Sequence, residues 1–212
     1  MKQDITGKRT KIVGVTGGIG SGKSEVLAIL NERFHSQNIL ADEVAHQLME
    51  PGQKAYKQII EQFGDGFLSE DGAIDRKAFA AFLFQSEEVR KQVNAIVHPL
   101  VKEEIRRQAF ASTSDLVIVE AALLIEEEYQ GDICEELWYV YTSREKRIQR
   151  LIKNRGYSRE KCESIMASQL SDEEFREHCQ RVIDNNGDHR DLEQVLDRLM
   201  RNVMEERETK LK

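Results

Sequence analysis

The sequence predicts an α/β fold in three layers, with a parallel sheet between helices, a helical insertion and a helical lid. Three observations predict it. Short apolar runs at residues 11–16 and 115–120 read as strands buried on both faces, as in parallel sheets. Amphipathic helical stretches separate the runs, supplying the crossovers that parallel strands need. Between the first strand and the first helix lies Gly17-Gly18-Ile19-Gly20-Ser21-Gly22-Lys23-Ser24, which fits G-x-x-x-x-G-K-[ST] at every position.

Lys11-Ile12-Val13-Gly14-Val15-Thr16 is the first strand, and residues 25–34 form a helix with Val26, Leu27, Leu30 and Phe34 on one face. The segment between them is a phosphate-binding loop, the core of a nucleotide-triphosphatase fold. Glycines at 17, 18, 20 and 22 permit positive φ and let bare N–H groups converge on an anion. The helix opening near Gly22 adds its positive end, Lys23 supplies an ammonium for the β- and γ-phosphates, and the Ser24 hydroxyl is placed to ligate Mg²⁺. Residues Gly18, Ile19, Gly20, Ser21, Gly22, Lys23, Ser24 and Glu25 are the candidate ATP contacts, with Glu25 acting through its backbone N–H alone.

A second strand at 38–42 ends on Asp42 beside the loop, since ligands of open α/β sheets bind outside the carboxyl ends of strands. Asp42 is therefore the candidate base; the alternative is that it caps a helix starting at Glu43. From 43 to 110 the periodicity is helical: Tyr56, Ile59, Ile60 and Phe63; Phe79, Phe82 and Leu83; Val89, Val93, Ile96 and Val97; Val101, Ile105 and Ala109. Breaks are expected at Pro51-Gly52, Gly64-Asp65-Gly66, Asp71-Gly72 and His98-Pro99. The sheet resumes at 115–120 and 138–142. Thr142 with Glu145 reads as a capping box for a helix carrying Ile148, Leu151 and Ile152; Ser158 caps a second helix, and Ser171 with Glu174 forms another capping box. Residues 181–184 are the last strand and Asn185-Asn186-Gly187 its turn. The closing helix carries Leu192, Val195, Leu196, Leu199 and Val203, and its terminal EERETKLK is expected to fray. The expected division is a nucleotide-binding core at 1–42, 111–143 and 176–212, a helical insertion at 43–110 and a lid at 144–175.

Apolar content of 40% with 33% charged residues suits a soluble, helix-rich surface, and no apolar run approaches the roughly 18 residues of a membrane span. The polar N-terminal MKQDITGKRTK has no apolar leader region, so a cytoplasmic location is expected. A net charge of −7 argues against nucleic acid as a general partner. Cys134, Cys162 and Cys179 are far apart and the five histidines are scattered, which speaks against a zinc site. Small-molecule substrates, without nucleic acid or membrane, and a monomer or small homo-oligomer are expected.

Whether the γ-phosphoryl goes to water or to an acceptor depends on the rest of the chain. A GTPase switch carries an N-K-x-D guanine reader, absent here; residues 184–187 match D-x-x-G but follow the last strand and read as a turn. A mechanochemical ATPase would end a core strand on Asp, where this chain has Val119-Glu120. A small-molecule kinase fits better, with Asp42 to take a hydroxyl proton and Arg144, Arg147, Arg150 and Arg155 on a helical excursion able to close over ATP. A kinase for a nucleoside or nucleotide, and an ATP-dependent switch whose insertion docks a protein, remain the alternatives.

In order along nearly the whole chain, TGGIGSGKS at 16–24, Ala41-Asp42 with His46 and Glu50-Pro51-Gly52, Asp75-Arg76, His98-Pro99, Leu123-Leu124 with Glu126, Ser168-Gln169-Leu170 and Ile183-Asp184-Asn185-Asn186-Gly187 resemble the dephospho-coenzyme A kinase family. The resemblance implies ATP-dependent phosphorylation of the ribose 3′-hydroxyl of dephospho-coenzyme A, the last step of coenzyme A synthesis. It implies Asp42 as general base, Lys23 as phosphate clamp, Ser24 as Mg²⁺ ligand, Arg150 as a lid arginine with Arg155 near the nucleotide, and Arg76 and His98 lining the acceptor side. The chain departs from the family at Leu40, where a second Asp is common, at Glu25 for Thr, at Ala122 for Pro, and at Asn154, one residue before Arg155, where the second lid arginine is usual.

Overall fold

Residues 10–210 are described in a computed structural model of the chain, so residues 1–9 of the polar N-terminal run lie outside the described residues. Strand β1 (Lys11–Thr16) leads into α1 (Lys23–Phe34), and β2 (Gln37–Leu40) into α2 (Ala41–Leu48). Then come α3 (Lys54–Phe63), α4 (Arg76–Leu83), α5 (Glu87–Ala111), β3 (Leu116–Glu120) and β4 (Glu136–Tyr141). The chain closes with α6 (Arg144–Arg155), α7 (Arg159–Ala167), α8 (Asp172–His178), β5 (Arg181–Asp184) and α9 (His189–Lys210).

The strands form one sheet in the order β2-β3-β1-β4-β5. β1 runs parallel to both β3 and β4, with Val13 opposite Ile118 and Val15 opposite Trp138, and β4 runs parallel to β5. Successive strand residues face opposite sides, yet Val117, Ile118 and Val119 are all fully buried. Both faces of the sheet are therefore covered, which makes the three layers that the apolar runs predict. Each such side chain contributes about 1.5–3 kcal/mol by burial. β3 lies between β1 and β2, so the second strand is not the neighbour of the first.

Contacts divide the described residues into two units, residues 39–111 and residues 10–38 with 112–210. Within the helical unit, α2, α3 and α4 pack on α5. Phe63, Phe67, Phe79 and Phe82 form an aromatic cluster, with the Phe67 and Phe79 ring centroids 5.0 Å apart. The break expected at His98-Pro99 is absent: α5 runs through Pro99 as one helix. A helical proline forfeits a hydrogen bond and costs about 3 kcal/mol. Here Val93, Val97, Val101, Ile105 and Ala109, each four residues from the last, bury one continuous stripe that offsets it.

Local capping chemistry gives mixed results. Ser158 accepts from the Lys161 N–H, and Ser171 and Glu174 form the full capping box. Thr142 does not cap: the N-cap of α6 is Ser143, which makes no side-chain cap bond, and the Thr142 hydroxyl, one residue earlier, makes long-range bonds instead. α9 continues to Lys210, five residues beyond the expected start of fraying at Glu205, while residues 211–212 lie outside the described residues.

On α5, Arg107 meets Glu104 through two bonds of 2.8 and 2.6 Å. These bonds hold the Glu104 pKa down to about 2, against a smaller burial effect. A depressed folded-state pKa contributes stability that is present above the unfolded value and is lost as pH falls through the folded value. Arg107→Ala is therefore expected to lower the urea midpoint at pH 7 and to show a smaller deficit at pH 2.5. An equal deficit at both pH values would show that the charge pair contributes nothing.

Candidate active site

A loop that turns its N–H groups inward toward an anion turns carbonyls outward, and each of these needs a donor. The loop after β1 meets that need from its own lysine and from distant segments. Lys23 Nζ donates to the Gly17 carbonyl at 2.8 Å and stands 3.7 Å from the Glu120 carboxylate at the end of β3. The Ser21 carbonyl accepts from Thr142 Oγ1 at 2.9 Å, Asn185 Nδ2 at 2.9 Å and an Arg150 nitrogen at 3.2 Å. The Ile19 carbonyl accepts from Arg147 Nε at 2.9 Å.

Two glycines explain why the loop has this composition. Gly22, the N-cap of α1, sits at φ 90°, and a Cβ there would run into the Asn185 side-chain amide. Gly18 differs from the sequence expectation because it does not use positive φ; a Cβ there would collide with the Arg147 guanidinium instead. Its role is close approach.

The segments that hold the loop are fastened to one another. Thr142 Oγ1 also reaches the Asn185 carbonyl at 3.1 Å, which accepts from Arg150 at 3.1 Å. Asn186 Oδ1 accepts from the Ser143 N–H at 2.9 Å, and Lys146 bonds the Asn186 carbonyl. Residues 185–186 are thus more than a turn: they tie β5 to the loop and to the start of α6. Arg147 is buried, and burial pulls its pKa down while Tyr139 and Asp172 oppose the shift. Its guanidinium also donates at 3.2 Å to Gln169 Oε1, the same oxygen that accepts the Ile19 N–H at 2.9 Å.

Among the sequence-predicted residues, the loop from Gly18 to Glu25 and Arg150 are brought together in this unit. Ser24 is exposed in the first turn of α1. Among the described residues no cluster of three His, Cys, Asp or Glu side chains could hold a metal. The oxygen donor that the sequence predicts here is the Ser24 hydroxyl, and a single protein oxygen is chemically compatible with Mg²⁺, which takes one or two of them and fills its shell with phosphate and water. Glu25 engages its side chain too, 3.1 Å from His189 Nδ1, and this bond raises the His189 pKa. Arg155 ends α6, exposed, five residues beyond Arg150.

The other predicted residues lie in the helical unit. Asp42 belongs neither to a strand end nor to a cap: α2 starts at Ala41, and Asp42 is exposed in its first turn. The short β2 stops at Leu40 because the sequence that follows, Ala-Asp-Glu-Val-Ala, favours helix. Arg76 opens α4 behind Asp75, whose carboxylate caps that helix, and His98 is half-buried on α5. A cleft of about 440 Å³ in this unit is lined by none of the three. Its charged lining is Glu50, Glu103 and Glu104 against Lys54 and Arg107, which is unsuited to a phosphate-bearing substrate.

Sequence reasoning missed what Thr142, Arg147 and Asn185 do, and named Gln169 without a role. Asn185 alone carried a signal, as a side-chain amide just past the carboxyl end of a parallel strand. Asn185→Ala is expected to weaken ATP binding about five- to fiftyfold and to cost about 1–3 kcal/mol of stability, because a buried bond to the loop is lost. Calorimetric titration and urea denaturation measure the two; unchanged ATP affinity would exclude Asn185 as a support of the loop.

A family profile described as dephospho-CoA kinase matches residues 11–191. The chain is 39% identical over 190 residues to the dephospho-CoA kinase of Geobacter sulfurreducens, covering 89% of this chain and 96% of that protein. Among solved structures, a Thermus thermophilus protein superposes with a TM-score of 0.76 at 29% identity, covering 92% of this chain and 98% of that one. The dephospho-CoA kinase of Campylobacter jejuni superposes with a TM-score of 0.62 at 22% identity, covering 92% and 97%, and shares the fold.

Proposed function

The chain belongs to the dephospho-CoA kinase family, and from that premise we propose that it transfers the γ-phosphoryl group of ATP to the ribose 3′-hydroxyl of dephospho-CoA, giving CoA and ADP. The observation that carries the reading is the bonding of α6 to the phosphate loop. Arg147 and Arg150 both donate to loop carbonyls, which supports a reading in which the arginine-bearing helix is bonded directly to the phosphate loop.

Phosphoryl transfer asks the protein mainly for positioning and positive charge. The loop's inward N–H groups and Lys23 hold the β- and γ-phosphates. Ser24 would hold Mg²⁺, which when bound neutralises phosphate charge. Asp42 takes the proton of the 3′-hydroxyl as that oxygen attacks the γ-phosphorus and the bond to the ADP oxygen breaks. Arg150, now donating to the Ser21 and Asn185 carbonyls, serves the migrating phosphoryl from α6, and Arg155 serves the nucleotide from the end of the same helix. Arg76 and His98 line the acceptor side, with 43–110 as the acceptor-binding insertion and 144–175 as the lid. No described helix is long and apolar enough to cross a membrane. The enzyme is read as cytoplasmic and as a monomer or small homo-oligomer, and its net charge of −7 argues against a nucleic-acid partner.

Incubation with ATP and Mg²⁺ plus dephospho-CoA, a nucleoside panel or no acceptor, with ADP as the readout, tests the reading. ADP formation dependent on dephospho-CoA is expected; acceptor-independent release or a preference for nucleosides would overturn it. Asp42→Asn is expected to lower kcat by about 10²–10⁴ with ATP affinity nearly intact, the usual worth of a positioned base. Near-normal turnover in steady-state assays would remove Asp42 from the mechanism. Arg150→Ala is expected to lower kcat at least about tenfold more than Arg155→Ala, because Arg150 already lies against the loop. The reverse order would exchange their roles.

A further inference from the structure

Ile19, at the apex of the phosphate loop, is held at three points by the segment 144–175. Its N–H donates to Gln169 Oε1 at 2.9 Å, and its carbonyl accepts from Arg147 Nε at 2.9 Å. Its side chain packs against the cluster of Ile148, Leu151 and Cys162. The two polar holds are one device, since Arg147 also donates to the same Gln169 oxygen at 3.2 Å. Arg147 is itself braced: it stands 4.0 Å from Asp172, whose carboxylate accepts from the Tyr139 hydroxyl at 2.5 Å.

In a trans peptide the C=O and N–H point in opposite directions. Arg147 draws the Ile19 carbonyl outward, so the N–H of the same peptide, that of Gly20, is aimed into the loop. Gln169 draws the Ile19 N–H outward, so the Gly18 carbonyl turns inward, where it accepts the Ser21 N–H at 3.1 Å. Together the two side chains set two successive peptide planes of the loop, aiming the Gly20 N–H into the anion nest and holding the Ile19 N–H out of it. The geometry points to Gln169 as a positioning residue for phosphoryl transfer: through its side-chain oxygen it fixes the loop apex and locks it to Arg147. This rests on the kinase reading above and adds to it a residue that acts without touching substrate.

Gln169 is exposed, so substitutions there leave the core intact. Gln169→Ala removes the oxygen, whereas Gln169→Glu keeps an acceptor at the same reach and adds a negative charge beside the phosphates. Gln169→Ala is expected to lower kcat about tenfold to a hundredfold, the scale of a misplaced reacting group, with unchanged Tm and a rise in ATP Kd of less than about fivefold, because the Ser21 carbonyl keeps its three donors. Gln169→Glu is expected to retain most of kcat at saturating ATP while its KM for ATP rises. A kcat for Gln169→Ala within about twofold of the parent, or an equal fall in both variants, would overturn the inference. The comparison uses whichever acceptor supports ADP formation, so failure of the acceptor reading shows in the parent protein and failure of this inference only in the variants.

Discussion

One carbonyl, that of Ser21, organises much of this molecule. A phosphate nest concentrates N–H donors on one side of a short loop and leaves carbonyls on the other, buried among secondary structure and away from water. The Ser21 oxygen meets that constraint with three donors drawn from the end of β4, the end of β5 and helix α6. An unpaired buried carbonyl would cost about 1–3 kcal/mol, so those three segments are bound to the loop by its own desolvation.

The sheet order makes this possible. β4 is the direct neighbour of β1 and β5 the next strand out, all parallel, so Thr142 and Asn185 emerge at the same edge as the loop. Thr142 stands one residue before the N-cap Ser143, where its buried hydroxyl is shared between the Ser21 and Asn185 carbonyls. Gly22 and Gly18 follow from the same crowding: one leaves room for the Asn185 amide, the other for the Arg147 guanidinium. Ile19, within the Gly17-Gly18-Ile19-Gly20 run of the loop, has a physical reason in the apolar cluster of α6 and α7 on which it packs.

Legibility followed the range of the interactions. The phosphate loop, the buried strands, the Ser158 cap and the Ser171–Glu174 capping box were readable, since each is written within a few residues. The helix through Pro99 was not, because local chemistry says break and only the buried stripe from Val93 to Ala109 says continue. Asp42 was found as the carboxylate after the second strand, but its setting was misjudged by a few residues, the usual uncertainty where a short strand passes directly into a helix. The partners of the loop were out of reach: Asn185 lies 164 residues from Ser21, and Gln169 lies 150 from Ile19.

The sequence by itself determined the class of chemistry, because an anion nest followed by Lys23 and Ser24 needs only eight consecutive residues to declare a triphosphate site. It also determined the layered fold, through runs too apolar to be exposed on either face. Only the tertiary structure decided which side chains bond the loop's backbone: Arg147 and Arg150 are candidate phosphate ligands in the sequence, and Thr142, Gln169 and Asn185 carry no site role there. Their roles arise where parallel strand ends and the helical segment after β4 converge on backbone groups that must be satisfied, and a one-dimensional pattern does not encode that convergence.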